Sequence, residues 1–552
     1  MNKKEAWADF FKSGFDLEYT HIRAAAFLYM GLPFLIFSLT WLSVIPAVIS
    51  TAVTLFILTL AVKPNLLKPK RIPEKALLNR DAVTHIHVPF GAMFAVMVAV
   101  GIWVWWSGIG GGFYQSGDFP YRNAVFRDLI NYEWPVIYGG DKGMLAYYIG
   151  FWLPAAVVGK FFGLFIHNSG ILWGLSNAAL YLWTAIGIFL VMLMLFFNVK
   201  ATGGKKVVLA TLIFIFFSGM DVVGWLAAGA DGAFARLVEE NIHIEWWAKK
   251  INFPTGHLLQ FSSFTTQLFW VFNQAVVTWL ATLTLFREQT PANFVFIGMM
   301  SLFCGPIPFY GFLVLALVLG VTFVIRARKY PRFAVRSLLS LPNILAVLGI
   351  FPVCFAYFTG NSAATIKSGS KLLRFVPRLI FNKDGLAHAG ISPKRLILFI
   401  SFLILEFLLI ALMIWWHNRK DLPFWACCLM LCIFPMIFTG AAADFCMRAT
   451  IPALVVFCMY VIRFLFEKWD SPKKSVDRLL CVLLTVFLVL GSVTPMVEMS
   501  RGIVKSVDAG EMLTYNDTFK SLGSDKKSAS SIKNFTAQNY EGSKFYTYFA
   551  RH

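Results

Sequence analysis

The stretch from Gly108 to Pro154 reads GIGGGFYQSGDFPYRNAVFRDLINYEWPVIYGGDKGMLAYYIGFWLP and lies between two long apolar runs. Its charged side chains include Asp118, Arg122, Arg127, Asp128, Glu133, Asp141 and Lys142. The whole chain is only 14% charged and 58% hydrophobic. We therefore interpret this stretch as a polar loop between membrane-spanning helices, and as the best candidate for a functional site.

Outside this stretch, apolar blocks alternate with short polar connections over the 552 residues. Apolar blocks of about 18 or more residues cross a bilayer as helices, because hydrocarbon offers the backbone no other hydrogen-bond partner. We predict an all-α, polytopic transmembrane helical bundle of about 13 spans, in a multi-pass protein of the cell membrane. The predicted spans lie near 25–42, 44–62, 86–107, 171–197, 206–220, 262–286, 292–304, 308–326, 338–358, 395–416, 422–438, 450–466 and 478–497.

The net charge of +20 comes largely from basic connections between these spans. Lys and Arg collect in cytoplasmic loops of membrane proteins, which explains the excess without a nucleic-acid partner. This rule predicts a cytoplasmic N-terminus and an external C-terminus. The expected organisation is an amphipathic N-terminus at 1–24, an extra transmembrane hairpin at 25–62, a core at 86–497 with an external catalytic loop at 108–170, and an external tail at 498–552.

Two observations bear on metals and disulfides. The eight cysteines lie in or beside apolar runs, which is typical of small core side chains rather than of disulfides or zinc ligands. The acids Asp128, Glu133 and Asp141 offer an incomplete ligand set for a divalent cation. A divalent cation is thus the one cofactor considered, and no metal ligand is predicted.

Asp118 is the strongest candidate for a catalytic residue. It stands before Phe119 and Pro120, at the start of a predicted amphipathic helix over 119–132. A carboxylate beside apolar surface is partly desolvated and can take a proton from an acceptor hydroxyl. The alternative is that Asp118 only caps the helix, for which Asp and a following Pro are well suited. Arg122, one turn later, can pair with it.

The same helix carries candidates for contact with a substrate. Its amphipathic pattern favours a position in the membrane interface. Arg122 or Arg127 would there hold a lipid phosphate, because guanidinium matches phosphate oxygens, or would merely extend to the lipid headgroups. Tyr121, Asp128 and Glu133 are weaker candidates on or next to this helix.

Candidates from later loops complete the set. His243 and Trp247 lie in a second external loop, where Trp247 either stacks on a sugar or anchors the chain at the interface. Lys371 and Arg374 belong to a basic loop that either attracts anionic lipid headgroups or is simply solvated. Arg448 either contacts a lipid phosphate or pairs with Asp444.

The order of these features resembles the start of the GT-C glycosyltransferases, such as protein O-mannosyltransferases and lipid A aminoarabinose transferases. The text that carries the resemblance is Gly117-Asp118-Phe119-Pro120-Tyr121, Tyr147-Tyr148 with Phe151-Trp152-Leu153-Pro154, and Phe162-Gly163. The resemblance implies an inverting transferase with a polyprenyl-phosphate sugar donor. It also implies that Asp118 is the base, and that the acceptor is a glycan, a lipid or a protein. The chain differs from many members in having one acid instead of two at Asp118 and an extra hairpin before the core.

A function of another class stays open from the sequence. A transporter or flippase of lipid-linked glycans needs functional charges within its spans, and often an internal repeat. Glu406 lies inside an apolar run and is such a charge, although no clear repeat accompanies it.

Overall fold

A computed structural model of the chain describes residues 13–63, 73–229, 237–238, 242–250, 259–362, 374–375, 393–438, 444–470, 475–508, 520–524 and 528–552. Helices dominate these residues, as the apolar blocks predict. The α-helices are α1 Tyr19–Trp41, α2 Val44–Val62, α3 Phe90–Trp106, α4 Phe119–Asn131, α5 Leu153–Gly163, α6 Ser169–Val199, α7 Gly204–Phe216, α8 Asp221–Ala227, α9 Trp247–Lys250, α10 Phe264–Arg287, α11 Phe294–Cys304, α12 Pro308–Arg326, α13 Pro331–Leu338, α14 Leu341–Gly349, α15 Phe351–Thr359, α16 Pro393–Leu403, α17 Leu409–Asn418, α18 Leu422–Ile433, α19 Asp444–Ala449, α20 Ile451–Asp470, α21 Ser475–Gly491, α22 Val493–Asp508, α23 Ala529–Ile532 and α24 Lys544–Tyr548.

Short antiparallel sheets of two or three strands accompany the helices. The strands are β1 Gly14–Glu18, β2 His85–Pro89, β3 Ile137–Tyr138, β4 Gly143–Leu145, β5 Arg374–Phe375, β6 Ile437–Phe438 and β7 Thr536–Ala537. They pair as β1–β2, β3–β4–β7 and β5–β6. The strand β2 explains why α3 begins at Phe90, since the residues just before it pair with β1 instead of extending the predicted span 86–107.

Nine helices within the described ranges are long and apolar enough to cross a membrane. Shorter apolar helices of 10–17 residues lie where three further spans were predicted, near 86–107, 292–304 and 422–438. At 1.5 Å per residue, a 17-residue helix reaches about 26 Å, less than the roughly 30 Å of a bilayer core. The membrane character of the fold is confirmed, while the count of 13 spans stays a prediction.

Helix α10 forms the centre of the bundle. Ninety-four per cent of the residues in its most apolar 18-residue segment are buried. The helix packs against α6, α11 and α20. Its polar side chains are used inside the core, since Gln267 accepts a hydrogen bond from Trp279 (2.8 Å) and Thr265 from Trp103 (3.0 Å). Non-helical backbone at Val271 kinks the helix and precedes Phe272, whose ring borders the candidate site.

The predicted external connections lie together at one end of the bundle. Phe535 of the C-terminal tail stacks on Tyr121, with ring centroids 5.3 Å apart, and His243 binds Glu498 (3.0 Å). The described parts of the tail therefore pack back onto the protein. The predicted cytoplasmic connections meet at the other end, where Asn79 donates to the carbonyl of Phe286 (2.7 Å). Which end faces the cytoplasm stays a prediction from the charge pattern.

Candidate functional site

Glycines turn the chain from α3 toward the candidate site. Gly108, Gly110 and Gly111 have φ values of +80°, +87° and +74°, a left-handed conformation that residues with a Cβ atom rarely adopt. At Gly110 a Cβ atom would also approach the side chain of Tyr181 to 2.9 Å. The turn therefore requires glycine here.

Asp118 stands directly before α4, yet its carboxylate makes no capping hydrogen bond. Instead it accepts from Nη2 of Arg122, at 3.0 Å. The Asp118 side chain is 52% exposed, whereas that of Arg122 is 8% exposed. The predicted pairing with Arg122 is confirmed, and the explanation of Asp118 as a cap alone is wrong, because its side chain is oriented by the arginine.

Arg122 is a buried cation with unused hydrogen-bonding capacity. Its guanidinium lies 5.6 Å from the ring centroid of Phe119 and 5.5 Å from that of Phe272. Its Nη1 has no hydrogen-bond partner in the part of the chain that the structure describes. An unsatisfied buried donor is costly, so this nitrogen is suited to an anionic ligand.

Arg448 reaches the same region from α19, more than 300 residues later in the chain. Its guanidinium donates to the hydroxyl of Tyr148 (3.5 Å) and pairs with Asp444 (3.4 Å). Its Nε has no partner among the described residues. Burial alone would lower the pKa of Arg448, but the charges of Asp444, the two adjacent tyrosines and Asp118 raise it, so Arg448 stays a cation.

Two tyrosines lie beside Arg448, and Tyr147 also interacts electrostatically with Arg122. The ring centroids of Tyr147 and Tyr148 lie 3.6 Å apart, and the Tyr147 hydroxyl donates to that of Tyr148. Burial and Tyr148 raise the pKa of Tyr147 above its ordinary value, although the charges of Arg448 and Arg122 oppose this. Tyr147 therefore stays a neutral phenol between two cations. We call Asp118, Arg122, Tyr147, Tyr148 and Arg448 the arginine–tyrosine cluster.

The cluster places cations that can bind a phosphate group next to a carboxylate that can act as a base. The unpartnered guanidinium nitrogens of Arg122 and Arg448 can bind phosphate oxygens with charge-assisted hydrogen bonds. The half-exposed carboxylate of Asp118 is accessible from outside the protein and can accept a proton. The sequence predicted the pair of Asp118 and Arg122 and, separately, Arg448. It gave no role to the tyrosines, which appeared only in the text of the resemblance.

The predicted helix over 119–132 is observed as α4, but its environment differs from the expectation. Ten of its 13 residues are buried, so α4 is enclosed by protein rather than lying in the membrane interface with one face exposed. The enclosing elements include α5 and the tail residue Phe535, which stacks on Tyr121. The pattern of polar residues on α4 thus reflects internal polar contacts.

The other candidates on and after α4 lie apart from the cluster. Arg127 stacks over Trp173, with its guanidinium 4.0 Å from the ring centroid. Asp128 accepts from the hydroxyl of Tyr138 (2.7 Å) and from the backbone N–H of Leu522 (3.0 Å). Glu133 is exposed and acts electrostatically on Lys160.

The short helix α5 keeps the region 147–166 at this end of the bundle. It has 11 residues and so extends only about 16 Å. Lys160, in its last turn, donates to the carbonyl of Tyr132, in the connection that follows α4. The chain therefore turns back here before α6.

The second external loop is held by a buried polar network of its own. His243 binds Glu498, whose two carboxylate oxygens both accept from Nη1 of Arg501 (2.8 and 2.7 Å). Burial raises the pKa of Glu245 to about 7, with neighbouring acids adding to the effect. Hydrogen bonds from three residues just before α10 and from Thr266 in its first turn hold the carboxyl. Trp247 is buried and donates to Glu406 (3.1 Å). His243 and Trp247 therefore contact protein groups, and their role in binding a substrate stays a prediction.

The basic loop 361–394 contributes little to this picture. Lys371 lies outside the described residues. Arg374 is described by its backbone, which pairs with Phe438. Within the described ranges, no group of three or more His, Cys, Asp or Glu residues is arranged to hold a metal ion.

Comparison with known proteins gives no independent assignment. No family model, no curated protein and no solved structure matches the chain.

Proposed function

We propose that the chain is an integral-membrane glycosyltransferase of the GT-C type, with the arginine–tyrosine cluster as its catalytic centre. It transfers a sugar from a polyprenyl-phosphate donor to an acceptor hydroxyl at the outer face of the cell membrane. The observation that carries this proposal is that Asp118 pairs with Arg122 (3.0 Å) and acts electrostatically on Arg448, while each arginine retains a guanidinium nitrogen with no partner in the described chain.

In the proposed step, Asp118 takes the proton of the acceptor hydroxyl, and the hydroxyl oxygen attacks the anomeric carbon of the donor. The new glycosidic C–O bond forms on the face opposite to the leaving group, so the configuration inverts. The bond between the anomeric carbon and the phosphate oxygen breaks, and its electron pair leaves with the lipid phosphate. Arg122 and Arg448 stabilise the developing negative charge on that phosphate, which is a main source of catalysis in such transfers.

The remaining parts of the cluster position these groups. The ion pair with Arg122 sets the direction of the Asp118 carboxylate. The Tyr148 hydroxyl accepts from Arg448, while Tyr357 donates to the carbonyl of Tyr147 (2.8 Å) and fixes the backbone there. Neutral, rigid aromatic groups beside the cations also suit stacking on a sugar ring.

A transfer assay with the purified protein in nanodiscs and a polyprenyl-phosphate sugar tests the proposal. Asp118→Asn keeps the size of the side chain but removes the base, and general-base catalysis typically contributes about 10²–10⁴-fold. We expect a loss of turnover of that order with donor binding retained. The matched control is Asp141→Asn, an exposed acid in the same loop, which should transfer sugar at the rate of the wild type. Unchanged transfer by Asp118→Asn would rule out Asp118 as the base.

The transporter alternative has one supporting observation. Glu406 is buried in the candidate span Leu396–Asn418 and interacts with the buried acid Asp221. Buried acids within spans are typical of transport pathways. Movement of a lipid-linked glycan across liposomes without a new glycosidic bond, together with its loss in Glu406→Gln, would favour transport over transfer.

A further inference from the structure

A basic cavity opens at the end of the bundle away from the arginine–tyrosine cluster. Its volume is about 440 Å³, and its cationic lining residues are Arg80, Lys200, Lys206, Arg287, Arg326 and Arg463. They come from separate segments of the chain, and only two acids, Asp81 and Glu467, line the cavity with them. Helix α10 shows how far apart the two sites are. Its residue Phe272 borders the cluster and Arg287 lines the cavity, and the 15 residue steps between them extend about 22 Å.

Two buried groups in the lining have unused hydrogen-bonding capacity. Arg287 is 4% exposed, and its Nε has no partner in the described chain. Asn198 is 2% exposed; its Nδ2 donates to two backbone carbonyls, while its Oδ1 has no described partner. Arg463 donates to the backbone carbonyl of Asn198 (2.8 Å), which draws a further cation into the cavity wall.

The positive-inside rule alone does not explain this arrangement. That rule concerns Lys and Arg in loops near the ends of spans, where exposed side chains satisfy it. Arg287 is instead buried in a concave wall where six cations outnumber the two acids. Lys206 pairs with Asp470 (2.6 Å) and Glu467 interacts with Arg463 and Lys200, but the remaining excess of positive charge favours an anionic ligand. Phosphate, with several oxygens and more than one negative charge, is the group that such a wall of guanidinium and ammonium groups binds best.

An apolar groove adjoins the cavity. Its volume is about 920 Å³, and Lys206 and Phe466 line both spaces. The groove runs between α7, α20 and α21, where Leu212, Leu465 and Leu488 line it. Leu212 is 43% exposed, as expected of a side chain that faces lipid. Cavity and groove thus form one continuous surface with a cationic part and an apolar part.

We propose that this surface binds an anionic phospholipid, with the phosphate in the basic cavity and an acyl chain in the apolar groove. The charge of the cavity selects the headgroup, and the continuity with the groove selects a lipid over a free phosphate compound. The site is separate from the arginine–tyrosine cluster, so this proposal does not depend on the proposed function.

Binding of phosphatidic acid, phosphatidylcholine and inorganic phosphate to the purified full chain in mixed micelles tests the proposal. We expect phosphatidic acid to bind at least tenfold more tightly than phosphatidylcholine, since each cation near an anionic lipid contributes about 1 kcal/mol. Lys200→Gln combined with Lys206→Gln should weaken phosphatidic acid binding about tenfold or more. Leu212→Trp, which fills the groove, should weaken lipid binding but leave binding of inorganic phosphate unchanged.

Matched controls separate this site from general lipid contact. Arg336→Gln removes an exposed cation of α13 that does not line the cavity, and Leu182→Trp alters an exposed position of α6 outside the groove. Neither should change binding, and thermal unfolding of each variant confirms its fold. Equal losses in the test and control variants, or equal affinity for both lipids, would overturn the proposal. Inorganic phosphate that displaces the lipid fully at equal concentration would also overturn it, in favour of a free phosphate ligand.

Discussion

Asp128 is a buried acid that connects α4 to the C-terminal tail, and its replacement by asparagine should stabilise the protein at neutral pH. Burial raises the pKa of Asp128 from 3.8 to about 6, although hydrogen bonds from Ser521, Tyr138 and Leu522 and the charge of Arg127 oppose the effect. A pKa rise of this size corresponds to about 3 kcal/mol. The folded protein thus favours the protonated form of Asp128.

The sign of the pH dependence follows from linkage. Below the unfolded pKa of 3.8 both states are protonated and the contribution of Asp128 to stability is fully present. As the pH rises through about 6, the folded state must ionise a buried carboxyl, and that contribution of about 3 kcal/mol is lost. Asp128→Asn imitates the protonated form, because its carbonyl oxygen can still accept from Tyr138 and Leu522.

The assay is denaturant-induced unfolding in detergent micelles at pH 4 and at pH 7. We expect Asp128→Asn to unfold with nearly the free energy of the wild type at pH 4, and to exceed it by up to about 3 kcal/mol at pH 7. Asp141→Asn, at an exposed acid, is the control and should show no such pH-dependent gain. A variant that is less stable than the wild type at pH 7 would refute the reasoning, since it would mean that the tail is held by an ionised Asp128.

Three further substitutions follow from single contacts. Gly143→Ala should loosen the C-terminal tail, because φ at Gly143 is +76° and a Cβ atom would lie 2.1 Å from the carbonyl oxygen of Ala537. Limited proteolysis should therefore cut the tail faster in this variant than in the control Gly139→Ala, whose Cβ atom would meet nothing within 4 Å. Trp247→Phe removes the indole N–H that donates a hydrogen bond to Glu406 and should lower the free energy of unfolding by about 1–3 kcal/mol. The control Trp415→Phe, at a 38% exposed ring, should have little effect. Equal losses of stability in the two variants would contradict the importance of this hydrogen bond. Arg122→Lys should weaken binding of a polyprenyl phosphate about tenfold or more, since lysine lacks the planar pair of donors; Arg127→Lys is the control, and an unchanged affinity in Arg122→Lys would argue against phosphate binding at this residue.

The sequence predicted most of the helical framework, because a membrane-spanning helix is specified locally by a continuous apolar block. Helices α2, α6, α10 and α12 lie within two residues of their predicted spans, whereas α1 begins six residues before its predicted start at 25. The predictions were less successful where the pairing of distant segments or a proline determines where a helix begins or ends. The predicted span 338–358 is divided between α14 and α15, with Pro342 and Pro352 in their first turns, because proline is tolerated there but not in a helix interior.

The candidate site was only partly predictable. The pairing of Asp118 with Arg122 follows from helical spacing, and that pair was predicted. The arrival of Arg448 depends on the packing of α19 and α20 against the rest of the bundle, which local sequence does not encode. The burial of α4 was missed for a related reason. Its amphipathic pattern is the same whether the polar face meets water or, as for Asn123 and Gln115 (2.8 Å), a polar partner inside the protein.

The most direct test of the central claim is mass spectrometry of the lipids that co-purify with three forms of the protein. These are the wild type, Asp118→Asn, and Arg122→Gln combined with Arg448→Gln. We expect a polyprenyl-phosphate sugar bound to the wild type, retained or enriched in Asp118→Asn because transfer is blocked, and lost from the double arginine variant. Absence of any polyprenyl-phosphate lipid from the first two forms, or its equal retention in the double arginine variant, would contradict the assignment of the arginine–tyrosine cluster as the donor site.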